Sequence, residues 1–189
     1  LGTGAIAAAF AIALRQVTDA TLFAVGSRSQ TSAADFAQTH DVGRAFASYA
    51  ELAADPDVDV VYIASPHTAH FEHTMLCLGA GKHVLCEKPF ALNSTQTEQM
   101  VALAQHNGLF LMEAMWMRFI PLIIELRRRI EASEIGQVRM IQADFGFRAP
   151  RNPDSRLFNP ELAGGALLDL GIYPLAFSAL LLGAPTEVT

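Results

Sequence analysis

The sequence predicts an α/β protein: a doubly wound parallel sheet in the amino-terminal part, followed by an α/β or α+β domain that is incomplete in this chain. Three observations carry that expectation. Short apolar runs of strand length alternate with helical segments of about 10–15 residues, the pattern of βαβ units. A glycine turn, Gly2-x-Gly4, leads straight into an Ala-rich helix. The alternation then stops near Glu113, beyond which come a basic helix, a Pro-rich loop and a long apolar helix.

Ile6 to Val17 reads as the helix after the glycine turn, Thr21 to Val25 as a strand, and Gly26-Ser27-Arg28-Ser29 as a polar turn. A helix from about Ser32 to Thr39 and a short strand at Ala45-Phe46 follow. Ser48-Tyr49-Ala50-Glu51 has the Ser-x-x-Glu form of a capping box opening a helix that Asp55-Pro56 ends. Val58 to Ala64 is β-branched and almost continuously apolar, as a central strand buried on both faces must be. Thr68 to Leu78 is a helix closed by Gly79 and Gly81, and His83-Val84-Leu85-Cys86 is the next strand. Asn93 to His106 is a helix with Asn93 or Ser94 as its cap and Asn107-Gly108 as its stop, before the strand Leu109 to Met112.

A domain boundary is expected near 113–118, giving residues 1–115 to the first domain and 116–189 to the start of the second. There, Pro121 to Ala132 is a helix, Gln137 to Phe147 a strand, Ala149 to Pro160 a loop and Gly165 to Leu182 a helix. The run Arg127-Arg128-Arg129 suits a solvated helix end, since no aromatic residue interleaves it as in a nucleic-acid patch.

The chain has 189 residues and 51% apolar composition, enough for a sizeable core. Its net charge of −6 argues against a general nucleic-acid or anionic-membrane surface and leaves room for one local cationic phosphate site. The apolar stretches Ala5 to Leu14 and Gly165 to Leu182 are Ala-rich or interrupted by Asp169, Gly171 and Pro174, so neither is expected to span a membrane. The opening residues lack the basic, apolar, small-residue pattern expected of a signal segment. Cys77 and Cys86 form no CxxC pair and no disulfide framework; two buried thiols in a cytoplasmic protein are expected. The chain starts on a glycine turn without the strand that normally precedes one and stops where an extended segment is starting, so it is expected to be part of a longer protein.

Glu87-Lys88-Pro89 sits at the end of a buried parallel strand, where open α/β sheets line their ligand crevice. A charged side chain there needs a partner or a task. Proline restricts Lys88 to extended geometry and allows a cis bond before it. Gly2-x-Gly4-x-x-Ala7 has the form of a dinucleotide fingerprint, with Gly2, Thr3, Gly4, Ala5 and Ile6 as the candidate pyrophosphate contacts. An ordinary glycine loop capping a helix is the alternative, against which the parallel-sheet pattern weighs. Where an NAD-preferring site carries Asp or Glu, about 20 residues on, this chain has Gly26-Ser27-Arg28-Ser29. Arg28 could grip a 2′-phosphate and Ser27 or Ser29 donate to it, so NADP is favoured, with NAD possible and an exposed surface arginine as the alternative.

Asp169 and Tyr173 lie four apart inside an apolar segment, Gly164 to Pro174. A lysine is one partner for such an Asp, and a Lys, Asp and Tyr set could handle the proton that accompanies hydride transfer. Local capping by Asp169 and simple packing of Tyr173 are the alternative. His67, His70 and His73 are spaced as in some metal sites, but His67 precedes the helix and convergence is not expected. Ser65, His67 and His70 are instead candidates to line the nicotinamide ribose or the substrate. Trp116 and Arg118, at the domain junction, are candidates for the substrate pocket.

Together, Gly2-Thr3-Gly4 before Ile6-Ala7, Glu87-Lys88-Pro89 about eighty residues later, and Gly164-Gly165 through Asp169-Leu170-Gly171-Ile172-Tyr173 resemble the glucose-fructose oxidoreductase / inositol dehydrogenase / rhizopine-catabolism (Gfo/Idh/MocA) family. Within it, Leu85 to Pro89, Leu109 to Ala114 and Trp116-x-Arg118-Phe119 are similar to the dihydrodiol dehydrogenase branch, as are His67 and Tyr173, where many relatives have Asn and His. The resemblance implies a Rossmann domain followed by a domain with an open antiparallel sheet that often dimerises. It implies Lys88 and Glu87 near nicotinamide, Tyr173 as general acid/base and Asp169 in support. A sugar, polyol or trans-dihydrodiol substrate, NADP as cofactor, no metal and a homodimer or higher oligomer are the accompanying expectations. A dinucleotide-sensing regulator and a reductase of a non-sugar carbonyl or imine are the rival readings.

Overall fold

The computed structural model describes residues 1–188. It divides into two compact units, one of residues Leu1–Ala114 and one from Met115 onward. The first is the parallel α/β unit. After helix α1 (Ala5–Leu14) come β1 (Ala24–Gly26), α2 (Gln30–His40), β2 (Arg44–Phe46), α3 (Tyr49–Ala54), β3 (Val60–Ile63), α4 (His70–Gly79), β4 (His83–Cys86), α5 (Ser94–His106) and β5 (Leu111–Glu113). All three strand pairings are parallel: β1 with β2, and β3-β4-β5 in that order.

Leu1 and Gly2 join the two sheets. The Gly2 N–H donates to Gly26 O at 2.9 Å, while on the other side Leu1 donates to Tyr62 O and accepts from the Ala64 N–H at 2.8 Å. These bonds fix the glycine turn at the carboxyl edges of β1 and β3, the edge where α/β sheets take ligands. Away from that edge, a cavity of about 540 Å³ lies between β1 and β3, lined by Phe10, Leu22, Val25, Val58 and Val61 among others.

Side chains near the strand surfaces explain why the elements start where they do. Ser29, Ser48 and Asn93 each accept from the N–H three residues on, capping α2, α3 and α5. The Ser29 cap starts α2 at Gln30, two residues ahead of the sequence expectation. The strands are shorter than their apolar runs because only the paired stretch completes a ladder: Val60–Ile63 within the run Val58 to Ala64, for example. Ile63, Leu78, Val84, Cys77 and Cys86 are fully buried between sheet and helices. Each large aliphatic among them stabilises the fold by about 1.5–3 kcal/mol.

The second unit holds a 3₁₀ turn at Trp116–Phe119, helix α6 (Pro121–Glu131), a 3₁₀ turn at Pro160–Leu162, and a π-helical stretch, Leu167–Gly171, that runs into α7 (Ile172–Leu182). The strand expected over Gln137 to Phe147 is absent: the segment is irregular, and among the described residues no strand pairs with it. An unpaired segment forms no ladder however β-prone its residues are. Its apolar side chains are open, with Met140 78% exposed. On α6 the arginines form a surface network, Arg128 and Arg129 on Glu125 and Arg127 on Glu131.

The helix expected from Gly165 is wound in two ways, π and then α. Gly164 precedes it because a Cβ there would lie 2.8 Å from Asn159 O and 2.9 Å from Arg156 O. By length and composition alone, Pro160–Leu182 equals a membrane span, with 23 residues and a mean hydropathy of 1.7, which the sequence reading did not expect. A left-handed residue, Ala163, breaks the run, and Asp169 within it is buried and ion-paired with Arg156.

Candidate active site

The glycine turn comes close to β3. Gly2 has φ 100°, and a Cβ there would sit 2.8 Å from Ala64 O, so only glycine lets the chain pass. Gly4 caps α1 in extended geometry without a side-chain cap, and a Cβ on it would meet nothing within 4 Å. The first intrahelical bond runs from the Ala8 N–H to Gly4 O, leaving the N–H groups of the preceding turn without helical acceptors. Gly4, Ala5 and Ile6 are exposed there. An open, uncapped helix start with its dipole aimed outward fits the pyrophosphate of a dinucleotide.

At the end of β1, buried Ser27 donates its N–H to Phe46 O and accepts at Oγ from the Ser29 N–H at 3.4 Å. This leaves the Ser27 hydroxyl proton for another acceptor. Arg28, on the same turn, is exposed. Ser29 is occupied as the cap of α2.

The Lys88 turn is held from three sides. Its peptide to Pro89 is cis. The Glu87 N–H donates to Ile63 O at 2.9 Å, and Glu87 carboxylate oxygens accept from the Tyr62 hydroxyl at 2.5 Å and the Lys88 N–H at 3.1 Å. Glu113, at the end of β5, accepts from the Phe90 N–H at 3.0 Å. Lys88 itself is half-buried. The sequence reading missed Tyr62 and Glu113. Their signal was there, a tyrosine in an otherwise aliphatic strand and an acid at a strand's carboxyl end. Burial, and then the bond to Glu87, raise the Tyr62 pKa well above that of free tyrosine.

The three histidines separate. His67 is buried in a 3₁₀ turn, His67–Ala69, that leads into α4. His70 Nδ1 and Nε2 face Pro89 O and Ser65 O, and His73 Nδ1 faces Ser65 Oγ at 2.8 Å with its ring edge-on to Tyr49. Burial lowers the pKa of both His70 and His73. Among the described residues no group of three or more His, Cys, Asp or Glu side chains could hold a metal. Burial pushes the thiol pKa up to about 11 at Cys77 and about 12 at Cys86, so neither is a nucleophile near neutral pH.

In the second unit, Trp116 donates its indole N–H to the Tyr173 hydroxyl at 3.1 Å, and Phe145 packs edge-on to the Tyr173 ring. Asp169 is buried and pairs with Arg156 at 2.9 Å, a cation the sequence reading did not weigh. Arg118 is exposed on the 3₁₀ turn beside Trp116.

Residues 1–115 match the oxidoreductase family with an NAD-binding Rossmann fold, and residues 123–189 match the GFO/IDH/MocA C-terminal domain. The chain belongs to this family. It is 41% identical over 191 residues to the trans-1,2-dihydrobenzene-1,2-diol dehydrogenase of Xenopus laevis, an alignment covering 99% of this chain and 57% of that protein. Among solved structures, the aldose-aldose oxidoreductase from Caulobacter crescentus complexed with glycerol superposes with a TM-score of 0.89 at 30% identity, covering 97% of this chain and 56% of that one. A 3-ketoreductase from Actinomadura kijaniata in complex with NADP and TDP-benzene gives 0.83 at 31% identity, covering 96% and 56%. The chain thus spans little more than half the length of these relatives.

Proposed function

We propose that the protein is an NADP-dependent oxidoreductase that moves a hydride between nicotinamide and the hydroxyl or carbonyl carbon of a sugar, polyol or trans-dihydrodiol. The observation that carries this reading is the shared edge: the uncapped start of α1 and the braced Lys88 turn lie at the carboxyl ends of one parallel unit. Bound there, NADP would supply the hydride acceptor or donor. The start of α1 would hold the pyrophosphate. Arg28 and Ser27 would take the 2′-phosphate, which no carboxylate on that turn opposes.

Lys88 would orient the reacting hydroxyl, and Tyr173 would give or take its proton as general acid/base, with Asp169 in support. Ser65, His67 and Glu87 would line the nicotinamide ribose, and Trp116 and Arg118 the substrate; His70, expected from the sequence to join that lining, is instead 1% exposed with both ring nitrogens on backbone carbonyls. The substrate class is supported by the dihydrodiol and aldose chemistry named for the relatives, and NADP by the nucleotide bound to the ketoreductase. A homodimer or higher oligomer belongs to the same reading.

The test is NADPH absorbance with a panel of sugars, polyols and trans-dihydrodiols, using wild type, Lys88→Ala and Tyr173→Phe. Turnover by wild type that collapses in both variants supports the mechanism. Wild-type rates in both variants would end it.

A further inference from the structure

His70, only 1% exposed, stands at the first position of α4 with Nδ1 2.8 Å from Pro89 O and Nε2 3.0 Å from Ser65 O. The two carbonyls belong to different loops. Ser65 opens the exit of β3 that leads to His67, and Pro89 closes the Lys88 turn at the exit of β4. A carbonyl oxygen only accepts, so each contact asks the ring for an N–H. A neutral imidazole has one N–H and an imidazolium has two. Burial disfavours the cation first, and repulsion from His67 and the positive end of α4 add to it, while the two carbonyls and the Glu87 carboxylate favour it. The balance falls below the usual histidine range, so near neutral pH the ring has one proton to place, and the shorter contact is to Pro89 O.

We propose that His70 is a positioning residue for Lys88: its Nδ1–H, donated to Pro89 O, ties the Lys88-Pro89 turn to the start of α4, and its Nε2 ties the β3 exit as well when the ring is doubly protonated. The proposal rests on the reading of Lys88 as the group that orients the reacting hydroxyl. His70 touches neither substrate nor nicotinamide in this role. It acts through the turn's backbone, at the Pro89 carbonyl that directly precedes the Phe90 N–H held by Glu113.

Two variants separate this role from plain packing. His70→Phe keeps a ring and removes both donors, and His70→Gln keeps a donor amide. In the intact protein, kcat is expected to fall roughly tenfold to a hundredfold in His70→Phe, the cost of a misplaced reacting group, while the Kd for NADPH stays within about twofold and His70→Gln recovers most of the rate. A Kd that rises in step with the loss of kcat, with no recovery by Gln, would mean general loosening and would overturn the role. Imidazole ¹⁵N spectra give a readout independent of turnover. Nδ1 of His70 should be protonated near neutral pH, and the backbone amide signals of Lys88 and Phe90 should move in His70→Phe and return in His70→Gln. An unprotonated Nδ1, or unmoved Lys88 and Phe90 signals, overturns the tether. If His70→Phe does not fold, the wild-type Nδ1 signal and the Gln variant decide. A wild type that turns over nothing refutes the dehydrogenase reading, and the positioning role with it, while the spectra still decide whether the tether exists.

Discussion

The Lys88 turn and the Tyr173 hydroxyl carry the two halves of the proposed chemistry, yet they are held in different ways. The residues flanking Lys88 are anchored from neighbouring elements of the parallel unit: Glu87 by Tyr62 from β3, Pro89 by His70 from α4 and Phe90 by Glu113 from β5. Tyr173 is touched by aromatic side chains near the surface, among them Trp116, 54% exposed. The first arrangement is preorganised by buried and half-buried hydrogen bonds that cost free energy to break, whereas the exposed Trp116–Tyr173 bond costs less. The comparison teaches where rigidity is built in. A parallel sheet fixes its strand exits from several sides at once, and a helix with an open face fixes its side chains only locally.

The largest expected effect sharpens that contrast at the chemistry itself. Lys88→Ala should lower kcat by roughly 10²-fold or more, the cost of a misoriented reacting hydroxyl. Trp116→Phe, which removes the indole N–H from Tyr173, should cost less than about tenfold by the same assay, as one solvent-exposed hydrogen bond allows. Equal losses in the two variants would break the contrast.

Next in size is the difference in packing. Ile63→Ala, in the fully buried core of the first unit, should destabilise by about 2–5 kcal/mol in urea unfolding. Leu122→Ala, on the open face of α6, should change stability by no more than about 0.5 kcal/mol. A large loss at Leu122 would show that the second unit buries this face after all.

The smallest effects concern carboxylates paired with arginine, one of them buried, Asp55, and one half-exposed, Glu125. Asp55 is held below its ordinary pKa first by the Asp57 backbone N–H and then by Arg44, and Glu125 is lowered to about 2 by Arg128 and then Arg129. A carboxylate lowered on folding contributes stability that is fully present above its unfolded pKa and is lost as pH falls through its folded one. The Tm gap between wild type and Glu125→Gln should therefore be constant above about pH 4.5 and shrink towards pH 2, and the gap for Asp55→Asn should also close on acidification. A gap that widened with acid would contradict both assignments.

The parallel unit was legible because its strands are apolar on both faces and its helices begin at side-chain caps, and both signals are local. Ser48 and Asn93 marked helix starts by the same chemistry that caps them in the fold. The site was legible in outline, through Gly2, Gly4 and Lys88. What holds it was not, because Tyr62, His70 and Glu113 meet the Lys88 turn from elements far apart in sequence. The segment from Gln137 to Phe147 was misread for the opposite reason: β propensity is visible locally, but a ladder needs a partner that propensity cannot supply. Arg156 was missed because it reaches Asp169 across a Pro-rich loop with no periodicity to place it.

The central claim is that the carboxyl edge of the first unit holds NADP, with Arg28 on the 2′-phosphate. Titrating wild type and Arg28→Ala with NADPH and with NADH tests it most directly. The account predicts that wild type prefers NADPH and that Arg28→Ala weakens NADPH by about 10–100-fold, the worth of a charge-assisted phosphate pair, while leaving NADH unchanged. Equal affinity of wild type for the two nucleotides, or equal weakening of both by the variant, would contradict it.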